Sequence, residues 1–280
     1  MQLFVILLLQ NKLSIVLQKP PRPGYFQLDM APDAVDDMYR GCKEEMESKV
    51  RKEYLPNEKK KVGSNFTVAW HEAEKHYNKF WKHKRGKRPS STTSLGKEQI
   101  ISLYAYTLDE PNVYIDFNNA VRTQRPKYKS SFIYHALHFF LTDAIQKLNA
   151  RKDKAARCLT VYRRVNSYFR RDVFNRPMRF GSFTSASMGW YQSAARFGDR
   201  SCFEINTCFG ADREVLVPPY EVFKITKVKK RAERKSLPCE VVYVLRSTGV
   251  ASNLNCQVIF NFKWGKSTTI HGYLRTAKDN

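Results

Sequence analysis

Three short segments of this chain carry side chains suited to one kind of chemistry. In Val161-Tyr162-Arg163 the arginine offers a planar cation with several N–H donors, a match for the paired phosphates of a dinucleotide. In Asp212-Arg213-Glu214 two carboxylates stand two residues apart, so in an extended strand both leave one face while Arg213 leaves the other. Glu214 is the stronger candidate for catalysis. A carboxylate hydrogen-bonded to the 2-hydroxyl of a ribose supports the positive charge that develops at C1 as a leaving group departs, more in the transition state than before it. Between them, Phe183-Thr184-Ser185-Ala186-Ser187 contributes Ser185. Taken singly, Arg163 reads as a surface ion-pair partner, Ser185 as an ordinary strand hydroxyl and the two acids as flanks of a turn. In ordered combination the three segments read as one site.

The elements that must position these residues fall into two halves. Asp33 suits the N-cap of a helix from Ala34 onward, with Asp36 and Asp37 in its first turn and Cys42 on it. Trp70, Ala73, Tyr77 and Phe80 recur at helical spacing over residues 66–83. Ile133, Leu137, Phe140, Ala144 and Leu148 do so over 132–148, and a further helix is expected near 97–107. Residues 84–95, rich in Lys, Arg, Pro, Ser and Thr, read as a surface loop. The second half changes to short β-branched and aromatic runs at 158–161, 202–207, 214–217, 221–227 and 240–245, which read as strands. Helices followed by strands indicate an α+β protein, not an alternating doubly wound one. No Gly-x-Gly-x-x-Gly is present, so a dinucleotide would bind without that fingerprint.

The 280 residues suffice for one sizeable core, and a single domain over 23–280 is expected: helical to 150, β-rich over 151–265, with a polar tail at 266–280. Lys and Arg total 49 against 26 acidic residues, a net charge of +23. Such excess predicts a basic surface attractive to anionic cell-surface glycans or acidic proteins. No zinc-finger spacing, aromatic RNA-recognition signature or helix-turn-helix pattern points to specific nucleic-acid binding. Residues 1–22 read as a signal peptide and lead-in, because the apolar run from Leu3 to Leu9 is too short for a membrane span. The polar C-terminal end shows no lipid-anchor signal. Six cysteines without a Cys-x-x-Cys pair favour disulfides over metal, and Asn65-Phe66-Thr67 is a glycosylation sequon of the same compartment. A secreted protein or one of the secretory lumen is expected. His71 and His76 are five apart, on different helix faces, and His135 and His138 lack a companion set, so no metal is expected.

The three segments, in this order, resemble the Arg, Ser, acid-x-Glu signature of the vertebrate arginine-specific ecto-ADP-ribosyltransferases. The likeness extends from Leu28-Asp29-Met30-Ala31 and Asp36-Asp37-Met38-Tyr39-Arg40-Gly41-Cys42 through Tyr114 to Arg122 to Val215-Leu216-Val217-Pro218-Pro219. It covers roughly residues 26–262. The resemblance implies a helical half packed on an ADP-ribosyltransferase core of two sheets, and transfer of ADP-ribose from NAD, with NADP a second donor, to protein arginine. Nicotinamide leaves, and water can replace the acceptor. It further implies that Arg163 contacts NAD, Ser185 orders the active-site strands, Phe197 lies against nicotinamide, Glu214 is the catalytic glutamate and Asp212 receives the guanidinium. The implied disulfides are Cys42 to Cys256 and Cys158 to Cys208, leaving Cys202 and Cys239 to pair.

Three departures from the pattern bear on activity. Asp212 stands where arginine-specific members carry Glu, the stretch from Cys208 to Glu214 is shorter than usual, and Arg164 replaces a glycine. They motivate an alternative, a catalytically weak member of the fold that binds anionic cell surfaces.

Overall fold

The helical half is built on amphipathic stripes with defined starts. In the computed structural model, which describes residues 25–81, 95–153, 157–189, 197–210 and 214–260, α1 (Lys43–Lys49) passes through a π-helical turn, Val50–Tyr54, into α2 (Leu55–Lys59). Next come α3 (Asn65–Phe80), α4 (Lys97–Thr107), α5 (Val113–Thr123) and α6 (His135–Ala150). The expected leader, the polar tail and most of the 84–95 loop lie outside the described residues. At the start of α3 the Ser64 hydroxyl accepts the Thr67 N–H at 3.2 Å, and Phe66, Ala69, Trp70, Ala73 and Tyr77 form the buried stripe. Gln99 accepts the Gly96 N–H at 2.5 Å and so fixes the entry to α4.

Helix α6 is buried along its whole first eleven residues. Its N-terminus is satisfied by a buried side chain: Glu58 accepts the Ala136 N–H at 3.2 Å. Burial dominates over this hydrogen bond and pushes the Glu58 carboxyl up to about 8. His138 lies on α6 between the Tyr39 hydroxyl, 2.6 Å from Nδ1, and the Val35 carbonyl, 3.1 Å from Nε2. Burial pushes it down to about 4, so it is a neutral core residue whose Nε2 donates and whose Nδ1 accepts. His135 stacks on Tyr54 at 4.1 Å and is pushed down to about 3 by burial. Among the described residues no group of three or more His, Cys, Asp or Glu could hold a metal, and no helix is long and apolar enough to cross a membrane.

The helix expected from Ala34 does not form; the first helix starts at Lys43, after Cys42. Asp36 and Asp37 are not first-turn acids but fully buried tertiary ligands. Asp36 receives Arg179 Nη1 at 2.6 Å and the N–H groups of Asn253 and Leu254. Asp37 receives Tyr128 Oη at 2.8 Å and the N–H groups of Tyr39 and Cys256. The backbone accommodates them by left-handed turns at Tyr39 (φ 57°) and Gly41 (φ 88°), which no helix contains. Unpaired, two adjacent buried carboxylates would be prohibitive; tertiary donors override the local capping pattern.

The strands are β1 (Leu159–Val165), β2 (Pro177–Met178), β3 (Thr184–Ser187), β4 (Ser201–Thr207), β5 (Glu214–Val217), β6 (Glu221–Lys230) and β7 (Val241–Val250). They hydrogen-bond in the order β2-β6-β7-β4-β1-β3-β5, antiparallel throughout except for β4 and β7. The two sheets expected from the resemblance appear as two parts of this order. A five-stranded body and the β3–β5 pair meet through one residue pair, Tyr162 and Ser187. One core gathers Met46, Trp70, Phe117, Phe139 and Phe183 among the helices; the other gathers Val161, Phe203, Phe223 and Tyr243 on the sheet. Disulfides join Cys42 to Cys256, Cys158 to Cys208 and Cys202 to Cys239. They tie the entry of α1 to the segment after β7, the start of β1 to the end of β4, and β4 to the turn that leads into β7.

Candidate functional site

Arg163 lies on β1 in the alternation of Val161 and Val165, which all face inward. Its guanidinium is nearly buried and donates from Nη1 to the Ser185 carbonyl at 2.5 Å, which fixes one edge of the fork to β3. Burial, reinforced by the charge of Arg122, pushes Arg163 down to about 10, while Tyr106 and Tyr114 pull the other way. It therefore stays a cation at neutral pH. A guanidinium carries five N–H donors, and the one bond drawn here leaves several for an anion.

Ser185 faces the helical half. Beside it stands Tyr106 of α4, whose hydroxyl donates to the Phe183 carbonyl at 3.1 Å and accepts from Asn118 Nδ2 at 2.9 Å. Burial raises the Tyr106 phenol, an effect opposed by Asn118, Arg163 and Ser185. Arg122 of α5 donates from Nη2 to the Ser182 hydroxyl at 2.5 Å and is close enough to Arg163 for their charges to repel. Burial of the guanidinium pushes its pKa down, with Tyr106 opposing, although the residue as a whole reaches the surface. Two arginines thus converge beside β3.

The other carboxylate side of the site comes from β5. The β3–β5 register sets Ser187 opposite Glu214 and Ser185 opposite Leu216, so Glu214 lies one pleat from the serine next to which Arg163 is anchored. Asp212 lies outside the described residues. The stretch leading to β5 is held at its base: Asn149 Nδ2 donates to the Cys208 and Gly210 carbonyls at 3.0 and 3.2 Å, and Lys152 Nζ to Gly210 at 3.0 Å. A Cβ on Gly210 would stand 2.4 Å from Val215 Cγ1, so only glycine lets the chain pass β5 this closely.

Phe197 sits in a short turn after the undescribed residues 190–196. Gly198 follows at φ 82°, where a Cβ would meet Asn166 at 2.6 Å. Arg164, the replacement for a glycine, turns away from Arg163: its Nε donates to the Gly198 carbonyl at 2.9 Å and its Nη2 to that of Pro238 at 3.2 Å. The bulky residue thus ties down the turn that carries Phe197. Asn65 is exposed at the first position of α3, and its amide donates to Asp116 at 2.7 Å.

The residues passed over in the sequence are Tyr106, Asn118 and Arg122. A signal for two of them exists, because Tyr114, Asn118 and Arg122 recur every four residues opposite the buried Val113, Phe117, Ala120 and Val121 of α5. An amphipathic helix whose polar stripe ends in an arginine is a natural wall for an anion cleft.

A family model described as NAD:arginine ADP-ribosyltransferase matches residues 28–240. Over 245 residues the chain is 31% identical to the erythroblast NAD(P)(+)--arginine ADP-ribosyltransferase of Gallus gallus, covering 83% of this chain and 76% of that one. It is also 31% identical over 269 residues to the GPI-linked NAD(P)(+)--arginine ADP-ribosyltransferase 1 of Mus musculus, covering 89% and 76% of the two chains. Among solved structures, a mutant of the eukaryotic mono-ADP-ribosyltransferase ART2.2 in complex with NADH superposes with a TM-score of 0.63 at 32% identity. That match covers 82% of this chain and 98% of the other. A second ART2.2 mutant, in complex with NAD, gives a TM-score of 0.61 at 31% identity, with the same coverage of both chains.

Proposed function

Because this chain belongs to the NAD:arginine ADP-ribosyltransferase family, we propose that it transfers ADP-ribose from NAD to the guanidino group of protein arginines and releases nicotinamide. The observation that supports this most is the junction of β1, β3 and β5. There a desolvated arginine is anchored on the Ser185 carbonyl, and Glu214 enters β5 directly across from Ser187. The donor set fits the substrate, since two cations, Arg163 and Arg122, stand beside β3 for the two phosphates of a dinucleotide. NADP, which differs remotely from the reacting ribose, serves as a second donor.

In this reading Arg163 and Arg122 bind the diphosphate, Ser185 holds β1, β3 and α4 in register, and Phe197 packs on nicotinamide. The bond between C1 of the ribose and the nicotinamide nitrogen breaks, and the electron pair leaves with nicotinamide. Glu214 stabilises the oxocarbenium through the ribose 2-hydroxyl. A guanidino nitrogen held by Asp212 attacks C1 and gives up a proton to that carboxylate or to solvent. Water attacking in its place gives NAD hydrolysis. Arg164 pointing away from Arg163 answers the concern that a bulky side chain there fills the nicotinamide site, and it weakens the binding-module alternative.

The three disulfides suit an oxidising compartment, and we assign the protein to the cell exterior or the secretory lumen, with Asn65 as a glycosylation site. Its outward sheet face carries Lys224 directly across from Arg246, both exposed, with Lys227 nearby. Like charges in cross-strand register repel, which favours an anionic partner such as a sulfated glycan. The transferase reading is tested by following nicotinamide release from NAD by wild type and R163A, with and without a small guanidino acceptor. Release that depends on Arg163 and rises with acceptor supports it; no release by wild type overturns it.

A further inference from the structure

The least expected charge in the sheet is Glu221. It opens β6, is fully buried, and the dominant groups acting on it include no cation. A carboxylate in such a place is costly unless donors surround it. Those donors come from one place, the end of β4 and the first residues of the stretch that leads to Glu214. Thr207 Oγ1 donates to Oε2 at 2.6 Å, and the Cys208 N–H to Oε1 at 2.8 Å. The Phe209 N–H also favours its charged form, although burial outweighs these donors and raises its pKa. Thr207 Oγ1 in turn accepts the Gly210 N–H at 3.3 Å. The carboxylate therefore organises the single turn of backbone from Thr207 to Gly210.

This geometry has a direct bearing on the site. Only six peptide steps separate Cys208 from Glu214, and β5 has four residues and, among the described residues, pairs with β3 alone. A short tether transmits an error at its origin to its end. From the α6 side the same origin is held by Asn149 and Lys152, and through Cys208 by the disulfide to Cys158. Glu221 holds it from beneath, and it does so from the strand that follows β5 after Pro218, Pro219 and Tyr220. Both the approach to β5 and the exit from it thus converge on one carboxylate. An apolar residue of similar size would fill the space without fixing either.

We infer that Glu221 is a positioning residue for the transfer reaction: by binding Thr207 and Cys208 it fixes the origin of the segment that delivers Glu214, without touching substrate. The inference rests on the reading of Glu214 as the catalytic carboxylate. Its role is separable from NAD binding, because Arg163 and Arg122 are held by β1, β3 and α5.

The test is a double-mutant cycle on nicotinamide release at saturating NAD, using the full chain with its disulfides intact. The four proteins are wild type, E221A, E214Q and the double variant. E221A is expected to lower kcat about 100-fold while KM for NAD stays within about threefold, because a misplacement near 1 Å costs on that order where positioning is the mechanism. In the E214Q background the same substitution is expected to cost nothing further, a non-additivity that general destabilisation does not produce. E221Q keeps the volume and one acceptor and is expected to lose only about tenfold; where E221A fails to fold, E221Q carries the same cycle. A kcat unchanged in both variants, a loss confined to KM, or a full additive loss in the E214Q background overturns the role of Glu221. A wild type that releases no nicotinamide overturns instead the reading on which it rests.

Discussion

Replacing Arg163 by lysine keeps one positive charge and removes the planar fork that carries it. In the structure one edge of that fork is spent on the Ser185 carbonyl at 2.5 Å, and Arg122 stands close enough for its charge to act on the same guanidinium. An ammonium cannot hold the carbonyl and offer two parallel bonds to a diphosphate, so R163K loses at least one charge-assisted hydrogen bond. Such a bond contributes about 1.5–3 kcal/mol, which corresponds to a rise in KM for NAD of about 10- to 150-fold. A second signature follows from burial. The site already pushes an arginine down to about 10, and a lysine starts lower and is pushed the same way. The variant should lose NAD affinity as pH rises through the mildly alkaline range, where wild type holds its charge. The assay is initial-rate nicotinamide release against NAD concentration from pH 6.5 to 9, with thermal melts at each pH. A KM within about twofold of wild type at every pH, in a variant that melts as wild type does, refutes the assignment of the diphosphate to Arg163.

Other outcomes follow from the same structure. Glu58 is a buried carboxyl raised to about 8, so its contribution to stability is present below its unfolded pKa and is lost as pH rises through 8. E58Q, which keeps an acceptor for Ala136, should therefore raise Tm at pH 8 by several degrees, about 2–4 °C for each kcal/mol, with the gain shrinking toward pH 5. R164G releases the Gly198 carbonyl, while that of Pro238 keeps Arg231, and should raise KM for NAD about threefold or more through the loosened Phe197 turn, measured by initial rates. Charge reversal in K224E/R246E should lower the salt needed for elution from heparin while leaving nicotinamide release unchanged, because both residues lie on the outward sheet face. Removal of the Cys42–Cys256 bridge, which closes the largest loop of the three, should cost about 2–5 kcal/mol by denaturant melt.

What could be read from the sequence depended on how far away the deciding contacts lie. Helix α3 was legible because its signals are local, an apolar period that includes the buried Trp70, Ala73 and Tyr77. Strands at 201–207 and 214–217 were legible from β-branched and aromatic alternation. The segment 34–42 misled because Asp33, Asp36 and Asp37 have the spacing of a helix start, whereas most of the partners that claim Asp36 and Asp37, namely Tyr128, Arg179, Asn253, Leu254 and Cys256, lie far along the chain. Arg122 was legible in principle from its stripe with Tyr114 and Asn118. Glu221 was not, because a glutamate opening a strand is ordinarily exposed, and only the packing of β4 against the β6 start shows it to be buried. Arg164 is an intermediate case: its identity marked it as a departure, but its direction follows from the Gly198 and Pro238 carbonyls, which only the fold brings near.

The central claim concerns bond making at C1 of the NAD ribose under the control of Glu214, and one experiment addresses it directly. Wild type and E214Q, matched for melting temperature and disulfide content, are incubated with NAD labelled in its adenylate part and an arginine-rich protein. The label transferred is then followed, together with its loss on replacing the acceptor's arginines by lysine. Wild type should label the acceptor at arginine and release an equivalent of nicotinamide, and E214Q should do so at least about a hundredfold more slowly. Equal labelling by the two proteins, or no labelling and no nicotinamide release by wild type, contradicts the account.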